Sequence, residues 1–264
     1  ASVLWALAEA DGIALLPASA LECEKGTDVK VWMKRRVDLD RRILFQGSDD
    51  PAIQLLVTPV RHRGGDLVSR AVGSMGGLAA LSRGECHLAA AHLLDDRDGT
   101  YNDSFIERFA GGARWERVLV FYRTQGMIVQ KGNPKNIHTF EDLCAGDNVF
   151  SNRQPGAGTR VLFDHLLKQA GKLPSEIKGY EQQCTTHMEA ANRVFTGLAD
   201  ATLGIKSAAD ALGLDFIPLA EEPYELVIPA KYMDHPAVRA LLESLSDSEW
   251  RGTVEAMGGY RWPD

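Results

Sequence analysis

DLVSRAVGSMGGLAALSRGECHLAAAHLLD, residues 66–95, decides how this chain folds. DLVSRAVG (66–73) reads as a strand, and SMGGLAALSRG carries its Leu and Ala at helical spacing up to a glycine stop at Gly84. CHLAAAHLLD (86–95) returns as a strand of small residues. Strand, helix and strand in such quick succession form the unit from which parallel sheets are built.

The same alternation runs outward in both directions. Upstream, ILFQGS (43–48) is a strand entering DDPAIQLL, with Pro51 suited to the first turn of a helix. Downstream, a loop through Tyr101 and Asn102 leads to helix DSFIERFAG, then to the strand-rich RVLVFYRTQGMIVQ (117–130), where Gly126 marks a bend or a crossing. TFEDLCAG is a short helix, NVFSNR a strand, GAGTRVLFDHLLKQAG (156–171) an amphipathic helix, THMEAANRVFTGLA (186–199) another, ATLGI a strand and KSAADALG a helix. LDFIPLAEEPYELVIPAKYM predicts strands with a turn near Glu222-Pro223, and residues 235–257 close the chain as helix. This rhythm predicts an α/β fold, a mostly parallel sheet covered on both faces. Before it, residues 3–10 suggest a short helix, and GIALLP (12–17) and VKVWMKR (29–35) two strands. So small a β-rich piece cannot bury both faces alone, so it reads as the remnant of something larger.

The chain has 264 residues, 45% of them apolar, enough for one bilobal domain. Its formal net charge is -7 and no block of Lys or Arg stands out, so no nucleic-acid partner is expected of this domain. No apolar run nears the roughly 20 residues that cross a bilayer, so no membrane partner is expected. The start lacks the layout of a secretory signal. Cys23, Cys86, Cys144 and Cys184 are scattered, which points to buried free thiols and a cytoplasmic setting.

Chemistry is most concentrated where strands run into helices. Three turns combine small and hydroxyl residues: Gly47-Ser48-Asp49-Asp50, Gly73-Ser74-Met75-Gly76-Gly77, and Ser151-Asn152-Arg153-Gln154-Pro155-Gly156-Ala157-Gly158-Thr159-Arg160. A helix start presents unpaired N–H groups and partial positive charge, and therefore attracts anions. Helix capping alone accounts for Ser48, Ser74 or Thr159 taken singly. Two arginines and two close glycines around one helix start exceed what capping needs, and Arg153 or Arg160 offers bidentate pairing to an oxyanion. Thr186 and His187 stand at a fourth helix start, and His92 ends a strand near Asp95 and Tyr101. His87 and His92, five apart, face opposite ways on a regular strand, which argues against a shared metal. The G-x-S-x-G and H-E-x-x-H patterns are absent, so the residues favour binding over catalysis.

From Arg41 onward, VGSMGGLAALSRGECHLAAAHLLD, NRQPGAGTRVLFDHLL, THMEAANRVFTGLADATLGI and LGLDFIPLAEEPYELVIP resemble the PBP-like domain related to type 2 periplasmic binding proteins. That resemblance implies a ligand held between two α/β lobes, lobe one about 41–125 and 215–264, lobe two about 126–214, with the hinge near Gly126 and Leu214. Residues 1–37, with LAEADGIALLPASALECEKGTDVKVWMKR, are similar to the last β-domain of MoeA-type molybdopterin molybdenumtransferases. The catalytic core of that family lies outside this chain, so its activity is not carried over. A homodimer through the missing part is a further implication. The two likenesses together imply an intracellular binder of a small anionic ligand (molybdate, tungstate or a molybdopterin-related anion) linked to molybdenum cofactor biosynthesis. A regulatory sensor module or an enzyme domain of cofactor synthesis stays open as an alternative. No covalent cofactor is expected.

Overall fold

A computed structural model describes residues 10–263 apart from Leu21, Lys25, Asp49, Asp96 and Gly146. The helix expected at 3–10 therefore falls, all but its last residue, outside the described residues.

The first two strands, β1 (Gly12–Leu15) and β2 (Lys30–Met33), pair antiparallel as a separate two-stranded sheet. Leu15, Val31, Trp32 and Met33 on it are exposed. Arg42 anchors its base, bonding Asp11 and also Asp66.

The main sheet begins with β3 (Arg42–Gly47), flanked in parallel by β4 (Asp66–Ala71) and β5 (Leu88–Ala91). Short helices α1 (Pro51–Leu55) and α2 (Val57–His62) join β3 to β4, and α3 (Gly73–Ser82) joins β4 to β5. Asp50 caps α1 by accepting from the Ala52 N–H, with Pro51 where no amide hydrogen is needed. Helix α4 (Asp103–Ala110) then leads to β6 (Trp115–Val129), followed by α5 (Phe140–Cys144), β7 (Phe150–Arg153) and α6 (Gly158–Gln169). After β8 (Gln183–Cys184) come α7 (His187–Phe195), β9 (Ala201–Ile205), α8 (Lys206–Ala211) and β10 (Asp215–Pro229). Helices α9 (Pro236–Ser244) and α10 (Ser248–Met257) and strand β11 (Tyr260–Arg261) close the chain.

The strand order is β4-β3-β5-β10-β6-β9-β7-β8, with β11 on β6. Parallel strands β3–β5 and β7–β9 thus lie on either side of one long antiparallel pair, β6 with β10. The expected turn at Glu222-Pro223 is absent: β10 is one strand of 15 residues, and its irregularities are bulges at Pro218/Ala220 and Tyr224/Glu225. Its three prolines stay within the ladder at paired positions, Pro218 opposite Gly126, Pro223 opposite Tyr122 and Pro229 opposite Trp115. A Cβ on Gly126 would lie 2.3 Å from the Ile217 carbonyl oxygen, so only glycine allows β6 and β10 this close approach. The single helix expected at 235–257 divides in two at Leu245–Asp247, where Asp247 caps α10.

The long pair passes from one apolar core to another. Phe121 of β6 packs with Ile43, Phe45, Leu56, Tyr224, Leu241 and Trp250, whereas Met127 packs with Phe140, Phe150, Phe163, Leu167 and Leu203. Between them on the same face of β6, at the two-residue period of a strand, stand Arg123 and Gln125, both buried. This apolar, polar, polar, apolar sequence places a buried polar belt between the two cores.

Candidate functional site

The belt is organised around Arg123, whose side chain is fully buried. Its Nη1 donates to Asp50 Oδ2 at 2.5 Å and its Nε to Glu222 Oε1 at 2.5 Å, while the guanidinium lies 4.9 Å from the centre of the Tyr224 ring. Leaving such a charge buried without partners would cost several kcal/mol, which is the reason two carboxylates converge on it. Burial pushes the Asp50 carboxyl up and Arg123 opposes that push. Burial acts on Glu222 in the same sense, but His92 and Arg123 outweigh it and hold the carboxyl down at about 2.

His92 joins this group. Its Nδ1 sits 2.8 Å from Glu222 Oε2, and its Nε2 lies 2.7 Å from both Ser48 Oγ and Arg123 Nη2. Because Glu222 is ionised, Nδ1 carries the hydrogen and Nε2 is the acceptor. Burial, then Arg123, lowers the His92 pKa, so the ring is neutral. Ser48, His92 and Glu222 therefore have the spacing of a nucleophile, base and acid, but Arg123 competes for the one lone pair that a base would use. The arrangement suits a fixed polar network better than an activated serine.

The facing wall comes from β7, α6 and α7. Thr159 Oγ1 accepts from Gln125 Nε2 at 2.8 Å, and Gln125 also donates to Glu222 Oε1 at 2.9 Å, so the two walls are laced together. Gly158 packs on His92, where an added Cβ would come within 2.3 Å of the imidazole. The starts of α3 and α6 meet through backbone: the Met75 N–H donates to the Gly156 carbonyl at 3.2 Å, with Gly73 and Gly156 at φ +76° and +82°. Arg153 is buried and donates from Nη2 to the Thr185 carbonyl at 2.9 Å. His187 is 2% exposed, and its Nδ1 has no hydrogen-bond partner among the described residues. Burial, with Arg153 and Arg123 nearby, drives its pKa well below the usual value.

Of the residues singled out in the sequence, Ser48, Ser74, His92, Gly158 and Thr159 meet in this belt; the Ser74 hydroxyl accepts from the His92 N–H at 3.4 Å. Arg153 and His187 flank it, Gly156 lies against Met75, and Tyr101 borders Glu222, which with burial raises its phenol above the usual range. Asp49 lies outside the described residues. Ser151 is buried with its hydroxyl 3.4 Å from Cys184 Sγ, and Thr186 caps α7 by accepting from the Glu189 N–H. Gly76 faces Val72, which precedes its own helix; Gly77 is the glycine that packs on Gln46 and Gly47. Arg160 turns to Asp164, lies 3.9 Å from the Tyr180 ring centre and donates to the Arg153 carbonyl at 3.1 Å, so it supports the loop rather than facing the belt.

Arg123 and Gln125 are not singled out by the sequence, and Asp50 and Glu222 stand there only as turn residues. The signal was present in FYRTQGM, where an arginine and a glutamine occupy alternate positions of an otherwise apolar strand. His87 sits apart, its Nδ1 accepting from the Leu44 N–H. Among the described residues no group of three His, Cys, Asp or Glu is arranged to hold a metal, and no helix is long and apolar enough to cross a membrane. The cysteines are free; Cys86 and Cys184 are buried, Cys144 is half-buried, and Cys23, against expectation, is exposed on the loop joining β1 and β2.

The chain is 36% identical over 188 residues to the uncharacterized protein YvgK of Bacillus subtilis, a match that takes in 71% of this chain and 60% of that protein's length. Its fold is similar to that of a phosphate ABC transporter substrate-binding protein with bound phosphate from Clostridium perfringens, with a TM-score of 0.64 at 14% identity over 84% of this chain and 100% of the other. The tungstate ABC transporter structure from Geobacter sulfurreducens is similar at a TM-score of 0.61 and 15% identity, over 83% of this chain and 100% of that one. Residues 58–246 match the PBP superfamily domain. With the bilobal α/β sheet and the polar belt between its cores, this places the chain in the periplasmic-binding-protein superfamily.

Proposed function

We propose that this chain binds a small oxyanion between its lobes, about 41–125 with 215–264 and about 126–214. The observation that carries the reading is the belt itself: Ser48, Ser74, Thr159, His92, His187, Arg123 and Arg153, all buried, converge between two apolar cores. Burying polar groups is costly unless each finds a partner, and in this belt the buried His187 Nδ1 is still unmet among the described residues. The phosphate and tungstate named for the two similar structures agree with such a ligand. Molybdate and tungstate come first, because hydroxyls and amides at two abutting helix starts suit a tetrahedral anion. A molybdopterin-related phosphate is second. Isothermal titration with molybdate, tungstate, sulfate and phosphate tests this. Saturable binding, weakened by Ser74→Ala or Thr159→Ala, is expected, and silence toward all four would sink the oxyanion reading.

The proposed setting is the cytoplasm, next to molybdenum cofactor assembly, with residues 1–37 as the tail of a MoeA-like β-domain through which two copies could pair. The exposed apolar side chains of the β1–β2 sheet support an adjoining domain there. Arg42, shared between Asp11 and Asp66, is a direct mechanical tie from that sheet to the edge of the binding domain. That tie favours a regulatory role as the second reading. Ligand-dependent activity of the full-length protein that disappears with Asp11→Asn and Arg42→Ala would support it.

A further inference from the structure

Two histidines border the belt, equally buried but differently partnered. Each is 2% exposed. Both nitrogens of His92 are engaged: Nδ1–H donates to Glu222, and the Nε2 lone pair faces Ser48 and the Arg123 N–H. A second proton on His92 would point straight at Arg123. His187 has no such conflict, since its Nδ1 is buried without a hydrogen-bond partner among the described residues. It begins α7, packed beside Gly204 of β9, with Arg153 of β7, Arg123 of β6 and His92 after β5 as the charged or titratable groups facing it. Glu189 on its own helix is turned to the Thr185 N–H and hydroxyl. His187 also lines a 390 Å³ groove with Pro51, Leu55, Met188, Ile205 and Met257.

The charge balance of the belt then makes a demand. Among the described residues, with Asp95 paired to Arg97 and Arg160 to Asp164, the cations Arg123 and Arg153 are matched in number by Asp50 and Glu222, while both histidines are neutral. A dianion entering this low-dielectric space finds no net positive charge to meet it. Resting on the oxyanion reading above, we infer that His187 takes up a proton when a divalent oxyanion binds, adding a second charged contact beside Arg153 and tightening binding as pH falls. Protonation turns Nδ1 from a buried atom without a partner into a donor, and the anion supplies the acceptor. The proton comes from solvent. The sign follows: a histidine neutral in the empty site and charged in the complex has its pKa raised by the ligand, so affinity grows as pH drops toward the pKa of the empty site.

Sulfate stays a dianion throughout the range in which an imidazole titrates, so any pH dependence belongs to the protein. Titration calorimetry of the whole chain with sulfate, repeated with molybdate, in two buffers of different ionisation enthalpy counts the protons taken up directly. Wild type is expected to gain up to one proton per anion, with affinity rising about three- to tenfold for each unit that pH falls from about 8 to 6. His187→Gln is expected to bind more weakly and with a flat pH profile. Wild-type binding without proton uptake overturns the inference and leaves the oxyanion reading intact; so does a His187→Gln protein that keeps the wild-type slope. Binding of neither anion at any pH overturns both.

Discussion

The two walls of the belt solve the same physical problem differently. On the wall built from β3, β6 and β10, Arg123, Asp50, Glu222, His92 and Ser48 satisfy one another through contacts of 2.5–2.8 Å. On the wall built from β7, α6 and α7, Arg153 donates to the Thr185 carbonyl, Thr159 accepts from Gln125, and His187 leaves Nδ1 unmet among the described residues. The first wall is an ionic network, joined to the second through Gln125, whose function is to stay in place. The second holds donors that a ligand can answer. The lesson is that the ion-paired charges in a binding cleft can be the scaffold, while a buried imidazole with an unmet nitrogen is left to respond to the ligand.

Breaking the scaffold wall should give the largest effect. Arg123→Ala leaves Asp50 and Glu222 buried without their cation, and unfolding in urea should show a loss of about 3–5 kcal/mol. If its stability matched wild type, the scaffold assignment would fail. Next in size is Gly158→Ala, whose Cβ would meet His92 at 2.3 Å. It should reduce oxyanion affinity by about tenfold or more while costing about 1–3 kcal/mol of stability, the range for overpacking. Arg153→Gln should weaken anion binding by about 10- to 100-fold, as expected for a lost charge-assisted hydrogen bond, with a smaller change in stability than Arg123→Ala. Arg160→Ala is the sharpening control. Its side chain serves Asp164, Tyr180 and the Arg153 carbonyl, so calorimetry should find affinity within about threefold of wild type and stability lower by about 1 kcal/mol. Equal losses from Arg153→Gln and Arg160→Ala would erase the distinction between ligand contact and loop support.

The walls should also separate by pH. With Glu222 held at about 2 in the folded protein and near 4.3 when unfolded, its contribution is complete above the unfolded value and is lost as pH falls through about 2. Thermal unfolding of Glu222→Gln and wild type should therefore differ most above about pH 5 and converge in strong acid.

Much of this was legible in the residues. The strand-to-helix turns at Ser48, Ser74 and Thr159 carry local chemistry, small and hydroxyl residues before a helix start, and all three reached the belt. Arg160 was misleading because its number of donors says nothing of direction; one helical turn places Asp164 beside it and so points it away. Arg123 is silent in the sequence because a charged residue in a strand normally faces solvent, and Glu222 because it stands where a turn is expected; only the pairing of β6 with β10 reveals that their face lies between two cores. The turn expected at Glu222-Pro223 failed for a related reason. A proline interrupts a strand only where its missing N–H would be needed, and β10 accommodates its prolines beside bulges.

By itself, then, the sequence determined the alternation of elements, the α/β class and the helix starts rich in anion-binding donors, because periodicity and capping act within a few residues. Only the tertiary structure decided which donors share a site. Asp50, His92, Arg123 and Glu222 are far apart in the chain, and what brings them together is the long β6–β10 pair between two cores and the cost of burying a charge without its partners.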